Sequence, residues 1–205
     1  DLYGSCQNFF EIRHPRCFTH VRLHIYPDGG VARFRVYGEP ILDWNRIGGE
    51  EILNLASPIY GGRALACNDQ HFGHIDNLVA PGDAVNMGDG WETRRRREPG
   101  NDWAVIRLAR ICKVRSIEVD TMHFKGNYPD RCSVETLKIE LNEEPSDWSS
   151  PEIPWRIILP ETGLKADNLH CFDSQLVNSD AVSHVRLSIY PDGGISRLRI
   201  FGNKI

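Results

Sequence analysis

The sequence lacks the features that direct a protein to a membrane or a nucleic acid. No apolar run approaches the roughly 20 residues that a membrane-spanning helix requires. Basic residues are also outnumbered, since there are 24 Lys and Arg and 28 Asp and Glu, which leaves a formal charge of −4. A chain of this charge has no general attraction to polyanions. We therefore expect neither a membrane nor a nucleic acid as its partner.

Paired cysteines and glycosylation acceptors are also missing. The six cysteines are scattered without a Cys-x-x-Cys pair, and no Asn-x-Ser/Thr triplet occurs. This spacing favours reduced, mostly buried thiols over a disulfide framework. The missing glycosylation acceptor agrees with that interpretation. An intracellular protein is expected.

A repeated segment is the most informative feature that is present. Residues 20–38 are HVRLHIYPDGGVARFRVYG and residues 184–202 are HVRLSIYPDGGISRLRIFG, so 13 of 19 residues agree at an offset of 164. Each copy alternates apolar and polar residues on both sides of Tyr-Pro-Asp-Gly-Gly, which predicts a β-hairpin. The offset is a domain length and far exceeds the roughly 20 to 50 residues of a solenoid unit. Duplicated domains are therefore expected.

The position of the two copies predicts how the domains are arranged. Because the second copy closes the chain, the first copy is expected to close a preceding domain whose body is not in this sequence. Residues 1–38 are then its terminal strands, which need a sheet to join because a lone hairpin is marginal in water. Residues 39–49 have the Pro and Gly punctuation of a linker. Residues 50–205 form the second domain.

The second domain is predicted to be all-β. After a short helical turn or connection predicted at residues 50–56, no segment has a convincing 3.6-residue period. Alternating segments between turn signals predict strands before the closing hairpin over residues 91–97, 103–108, 114–121, 134–141 and 155–159. Strands at this spacing favour a two-sheet sandwich of antiparallel strands over a closed barrel.

Residues 89–97 contain four consecutive arginines. In an extended strand Glu92, Arg94 and Arg96 share one face, and Thr93 lies on the other with the remaining arginines. A nucleic-acid patch is one interpretation, although nothing elsewhere in the sequence extends it. A solvated arginine face paired to acids is the second. The third is a carboxylate-binding fork, because guanidinium presents two parallel donors to the two oxygens.

Two further stretches contain groups that could carry out chemistry. In residues 119–129, Asp120 and His123 could form an acid–base pair, with the side-chain amide of Asn127 recognising a ligand by hydrogen bonds. Alternatively, the same side chains could simply hold a loop. In residues 69–76, two histidines lie three residues apart beside aspartates. His71, His74 and Asp69 are therefore weak candidates for a metal site, although this spacing is not diagnostic.

Three of these runs together resemble a known family, the allantoicases. They are DGWETRRRREPGNDWAVIRL, VDTMHFKGNYPD and the closing HVRLSIYPDGGISRLRIFG. Allantoicases are purine-catabolism hydrolases that split allantoate, at a C–N bond that is not a peptide bond, into ureidoglycolate and urea. The resemblance covers residues 50–205 as one repeat and residues 1–38 as the end of the repeat before it.

The resemblance implies a fold, a cellular location and an oligomeric assembly. It implies a jelly-roll sandwich of the galactose-binding-like kind in each repeat, a homo-oligomer, and a cytoplasmic or peroxisomal location. The first repeat would normally have its own arginine-rich and Asp-Thr motifs, and only its terminal hairpin is found here. This fragment is therefore expected to be inactive by itself if the active site uses residues of both repeats.

The substrate named by the resemblance suggests roles for the motif residues. Allantoate has one carboxylate and two ureido groups on a single carbon, and its cleavage needs a proton for the departing urea and a base. The residues expected to be catalytic are His123, Asp120 and Glu92. Those expected to bind the substrate are Arg94, Arg96, Asp102, Asn127 and Thr121. A divalent metal is left open as a cofactor, and the alternative function is a non-catalytic galactose-binding-like module or a structural repeat of an oligomer.

Overall fold

The computed structural model describes residues 2–14, 16–140, 143–177 and 180–205. The chain divides into two compact units, Asp1–Ile41 and Leu42–Ile205. In the described part of the first unit no residue lies in a helix or a strand, so the hairpin predicted over residues 20–38 is wrong for this structure. Val21, Leu23 and Ile25, its alternating apolar residues, are 56%, 45% and 39% exposed. Without a sheet to pair with, the alternation does not produce strands.

The described part of the second unit contains ten strands and two short 3-10 helices, Ile75–Val79 and Met87–Asp89. The strands are β1 (Leu53–Asn54), β2 (Arg63–Cys67), β3 (Trp91–Glu92), β4 (Asp102–Asp120), β5 (Arg131–Leu137), β6 (Arg156–Gly163), β7 (Leu169–Phe172), β8 (Ala181–Tyr190), β9 (Gly194–Ile195) and β10 (Arg197–Lys204). Every pairing among them is antiparallel. The all-β prediction is confirmed. No helix in the described residues is long and apolar enough to cross a bilayer.

The long strand β4 belongs to two layers. Its first part pairs with β2 and β8, which gives a first layer in the order β2–β4–β8–β5–β6. Its second part pairs with β10 and β7, which gives a second layer in the order β1–β10–β4–β7. The register with β8 shifts between Arg107 and Cys112, and such an irregularity lets a strand bend from one layer into the other. The two strands predicted over residues 103–108 and 114–121 are therefore one.

The hydrophobic core lies between the two layers. Val185, Leu187 and Ile189 of β8 enter it from the first layer, and Leu198 and Ile200 of β10 enter it from the second. All five are fully buried. Burial of each such side chain contributes about 1.5–3 kcal/mol. This packing confirms the predicted antiparallel sandwich.

The closing segment crosses between the layers and does not form the predicted hairpin. β8 and β10 do not pair with each other, because each pairs with β4 on a different side. The turn between them includes β9, which pairs with β3 in a separate two-stranded sheet. Two strands that face one core from opposite layers show the same apolar alternation as a hairpin. The residue pattern could not separate these two arrangements.

Several other predicted features differ from the structure. Residues 50–56 contain strand β1, paired to Phe201 and Gly202 of β10, in place of a helical turn. The strand predicted over residues 91–97 ends at Glu92, and β6 continues to Gly163. The strand predicted over 134–141 begins earlier, at Arg131, and ends at Leu137; residue 141 lies outside the described residues.

All six cysteines are free, but the expectation that most are buried is wrong. Cys6, Cys17 and Cys171 are exposed, whereas Cys112 and Cys132 are buried in the core. Burial raises the pKa of Cys112 and of Cys132 to about 12. A thiol is nucleophilic only as the thiolate, so these two are inert.

Candidate functional site

The loops with the candidate residues lie at one end of the sandwich. In the first layer, Cys67 near the end of β2 pairs with Ala104, and Arg131 at the start of β5 pairs with Tyr190 at the end of β8. In the second layer, Arg197 at the start of β10 pairs with the end of β4. Because only six residues separate β8 from β10, these strand ends are close together. We call this the crossover end; its loops are residues 68–73, 93–101, 121–130 and 191–196.

The arginine segment, residues 93–97, is attached by its backbone to the crossover, which is the turn of residues 191–196 between β8 and β10. Thr93 is buried, its N–H donates to the Gly193 carbonyl at 3.1 Å, and its hydroxyl accepts from the Gly193 N–H at 3.1 Å. The N–H of Arg96 donates to Asp192 Oδ2 at 2.8 Å. This approach requires glycine at 193, where φ is 137° and a Cβ would lie 2.7 Å from the carbonyl oxygen of Asn127.

Arg94 is held by Asp69 at the edge of a depression. Its Nε donates to Asp69 Oδ2 at 2.8 Å, and its N–H donates to Asp69 Oδ1 at 3.2 Å. Burial alone would raise the pKa of Asp69, but hydrogen bonds from the His71 N–H and from Arg94 outweigh it, and the pKa lies below its usual value. The Arg94 side chain is 66% exposed. Its two terminal nitrogens make no hydrogen bond to the described residues, so they can receive a ligand.

The depression has a volume of about 340 Å³. Its lining residues are Cys67, Asn68, Asp69, Gln70, His71 and Arg94. The lining is therefore mostly polar, with one cation that is already oriented by a carboxylate. A small anion that also carries N–H groups suits such a surface.

The side chain of Arg96 forms hydrogen bonds within the protein. Its Nη2 donates to Asp102 Oδ1 at 2.9 Å and to the Asn101 carbonyl at 3.1 Å. Asp102 is buried and also accepts from Asn68 Nδ2 at 2.9 Å. The Nε of Arg96 is buried and has no partner among the described residues. Of the two predicted carboxylate-binding arginines, Arg94 is the more exposed, since its side chain is 66% exposed and that of Arg96 26%. Arg96 and Asp102 hold the loops together.

Glu92 and Asn127 are brought together. Asn127 Nδ2 donates to Glu92 Oε1 at 2.5 Å, although 35 residues separate them in sequence. The carbonyl of Asn127 also accepts from the Gly194 N–H at 2.8 Å. The crossover therefore contacts both the arginine segment and the loop with Asn127.

Asp120 and His123 do not form the predicted acid–base pair. Asp120 is buried and accepts from the Met122 N–H at 2.8 Å, and its burial raises its pKa. The backbone N–H of His123, which has a φ of 71°, donates to Asp167 Oδ1 at 2.7 Å. Its ring Nε2 lies 2.9 Å from the Ala84 carbonyl, which can only accept, so this nitrogen carries the proton. No hydrogen bond of the described residues joins the two side chains.

Thr121 lies inside the protein. It is fully buried, and its hydroxyl donates to the Lys165 carbonyl at 2.6 Å and accepts from the Asn168 N–H at 3.1 Å. These contacts use both hydrogen-bonding functions of the hydroxyl. The position of Thr121 fits a role in fastening the loop of residues 121–130 to its neighbour.

The three weak metal candidates have other contacts. Asp69 binds Arg94, and His74 Nδ1 accepts from the Asp76 N–H at 3.2 Å at the start of a 3-10 helix. The ring of His71 packs edge-on against Phe72 at 4.6 Å. In the described ranges no group of three or more His, Cys, Asp and Glu side chains could hold a metal ion.

Sequence reasoning missed two residues of this end. Asp192 was interpreted only as part of the Tyr-Pro-Asp-Gly-Gly turn, and Asn68 was given no role. Asn68 joins the loops, since its Nδ2 donates to Asp102 and its Oδ1 accepts from the Trp103 N–H at 2.8 Å. The signal for Asp192 was its presence in both copies of the repeated segment.

Comparison with known proteins shows the family. A family model described as the allantoicase repeat matches residues 1–41 and 53–205. A relative named probable allantoicase from Photobacterium profundum is 49% identical over 203 residues, which cover 99% of this chain and 61% of the relative. One of the same name from Pseudomonas paraeruginosa is 50% identical over 202 residues, covering 98% and 60%. The chain thus spans about three fifths of these relatives.

Solved structures agree. The crystal structure of allantoicase from Saccharomyces cerevisiae is 39% identical, with a TM-score of 0.64 over 77% of this chain and 45% of the other. The C-terminal domain of a chitobiase from Bacteroides fragilis is 14% identical, with a TM-score of 0.53 over 76% of this chain and 99% of the other. At that identity the second likeness concerns the fold alone.

Proposed function

Because this chain belongs to the allantoicase family, we propose that it serves the hydrolysis of allantoate to ureidoglycolate and urea in purine catabolism. The observation that supports this proposal from the structure is Arg94, an accessible guanidinium oriented by Asp69 at the edge of a polar depression. The free terminal nitrogens of Arg94 can donate to the carboxylate of a small anionic ureide. A cytoplasmic or peroxisomal location and a homo-oligomeric assembly are part of the same proposal.

Arg94 binds the carboxylate of the substrate. Asp69 engages Nε and leaves the two terminal nitrogens, which can donate in parallel to the two carboxylate oxygens. Asp69 also limits the rotamers of Arg94, so less conformational freedom is lost on binding. Arg96 and Asp102 contribute indirectly, by fixing the arginine segment against the start of β4.

Glu92 transfers the proton. Water attacks the central carbon of allantoate as the bond from that carbon to one ureido nitrogen breaks. Glu92 accepts a proton from the water and returns it to the departing nitrogen, which releases urea. Asn127 donates to Glu92 and so orients the carboxylate. In this proposal the Asn127 amide also binds the ureido groups. Asp120, His123 and Thr121 support this site by holding the loop with Asn127.

Residues 20–38 belong to a different sandwich from that of residues 50–205, but one of the same kind. Val21, Leu23 and Ile25 are exposed here, whereas Val185, Leu187 and Ile189 of the equivalent segment are fully buried. The same residue types need the same environment. In residues 184–202 that environment is provided by β4, which pairs with both β8 and β10, so residues 20–38 need an equivalent strand. We assign residues 1–38 to the end of a first repeat, 39–49 to a linker and 50–205 to the second repeat.

A urea-release assay on allantoate tests the function. We expect turnover by the wild-type chain and, for Arg94→Ala, a KM raised by roughly tenfold to a hundredfold, because a hydrogen bond between charged groups contributes about 1.5–3 kcal/mol. Arg156→Ala is the matched control, since Arg156 is also an exposed arginine paired to an aspartate, at 3.1 Å. The assay is run with and without divalent cations.

Three outcomes would contradict the proposal in different ways. Allantoate bound without urea release would indicate a binding module, and neither binding nor release would indicate a structural repeat. An unchanged KM in Arg94→Ala would remove this residue from carboxylate binding, even if the chain released urea.

A further inference from the structure

The turn between β8 and β10 contacts both parts of the proposed substrate site. On one side the Asp192 carboxylate accepts from the Arg96 N–H, and Gly193 exchanges two hydrogen bonds with Thr93. On the other side the Gly194 N–H donates to the Asn127 carbonyl. Three consecutive residues therefore fix the distance between the arginine segment and the loop with Asn127.

We propose that Asp192 is a positioning residue for substrate binding, acting through the backbone of the arginine segment. The inference rests on the proposed function. Arg94 lies between the two points of attachment, since Thr93 is bound one residue before it and Arg96 two residues after it. Its own N–H and its side chain both donate to Asp69. Backbone and guanidinium are thus both held before a ligand arrives.

The Asp192 contact is the charge-assisted one among the attachments of the arginine segment to the turn between β8 and β10. A carboxylate that accepts from a backbone N–H makes a charge-assisted hydrogen bond, roughly twice as strong as one between neutral groups. The contact is half-buried, which reduces competition from water. Among the described residues, Asp192 is the one recorded acceptor for the Arg96 N–H. Without it, residues 94–97 lose their attachment to the crossover.

The expected effect is on binding more than on the chemical step. Glu92 is bound by other contacts, because it pairs with Gly194 in the two-stranded sheet and accepts from Asn127. Loss of the Asp192 carboxylate leaves these contacts in place. It affects the position of Arg94, the proposed carboxylate anchor, and misplacement of an anchor lowers substrate affinity.

Steady-state urea release by Asp192→Ala and Asp192→Asn tests the proposal. We expect Asp192→Ala to raise KM for allantoate about tenfold with kcat within about threefold of wild type, in line with the loss of one charge-assisted hydrogen bond. Asp192→Asn keeps an acceptor oxygen, so it should restore most of the affinity. Asp147→Ala is the matched control, because that carboxylate accepts from a loop N–H, of Ser149, at 2.9 Å outside the crossover end. It should leave KM unchanged.

Two further readouts separate positioning from general loss of structure. Amide exchange at Arg96 should become faster in Asp192→Ala and stay slow in Asp192→Asn. In the Arg94→Ala background, Asp192→Ala should add little to KM, because the group that it positions has already been removed.

The outcomes that overturn the inference differ from those that overturn the function. Urea release with an unchanged KM in Asp192→Ala, additive effects with Arg94→Ala, or unaltered Arg96 exchange would overturn the inference alone. A wild-type chain that neither bound nor hydrolysed allantoate would overturn the proposed function, and the inference with it.

Discussion

Replacement of Gly194 with alanine should destabilise the crossover end, because an added Cβ has no room there. An ideal Cβ at Gly194 would lie 1.9 Å from Phe124 Cε1 and 2.1 Å from Cδ1. Phe124 is fully buried, and a Cβ at Gly90 on another side of the ring would lie 2.8 Å from Phe124 Cε2. The ring is therefore packed between two glycine backbones and cannot move freely.

The size of the effect follows from these distances. Carbon atoms in contact are about 3.5 Å or more apart, so Phe124 or the crossover must shift by about 1.6 Å from the 1.9 Å separation. Overpacking of a core typically costs about 1–3 kcal/mol. A shift of this size in a buried ring places Gly194→Ala near 3 kcal/mol. The Gly194 contact with Asn127 would move with it, so KM should rise as well.

The free energy of unfolding, measured by urea denaturation, checks this prediction. Gly126→Ala is the matched control in the loop that contains Phe124, because a Cβ at Gly126 would have no atom within 4 Å. It should change stability by no more than about 0.5–1 kcal/mol. If Gly194→Ala lost less than about 0.5 kcal/mol, the close packing of the crossover on Phe124 would be refuted.

Two further predictions concern histidines. Burial lowers the pKa of His184, despite hydrogen bonding to Glu144 that opposes the shift, so its contribution to stability is complete above the ordinary histidine pKa of about 6.5. The free energy of unfolding should fall as the pH drops below that value, with a smaller slope in His184→Gln; equal slopes would contradict it. His123→Gln should lose about 1 kcal/mol with its contact to Ala84 and keep kcat within about tenfold. A hundredfold fall in kcat would instead indicate that His123 transfers a proton in the reaction.

Much of the fold was predictable because it follows from local pattern. The period of two along β4 and β8 identified an all-β chain, and the repeated segment marked a unit that recurs. Pattern could not tell whether two alternating segments pair with each other or face each other across a core, since both arrangements bury the same residues. The crossover was therefore predicted as a hairpin. The same ambiguity divided β4 into two strands.

In the candidate site, too, some features were predictable from the sequence and others were not. The residue type at position 94 suggested carboxylate binding, and the family resemblance added ureide chemistry at positions 92 and 127. Their exposure did not follow from their types, because Arg94 and Arg96 are chemically identical and lie two residues apart. Asp102, placed by the start of β4, binds Arg96, whose side chain is 26% exposed, whereas that of Arg94 is 66% exposed.

The sequence by itself determined the family, the all-β class and the set of motif residues, because these depend on residue type and local alternation. The tertiary structure decided which of those residues meet. It gave Asp120 and His123 different hydrogen-bond partners. It joined Glu92 to Asn127 over 35 residues and gave Asp192 its contact with Arg96. Such contacts depend on how two layers close over one core, a long-range property that no local pattern contains.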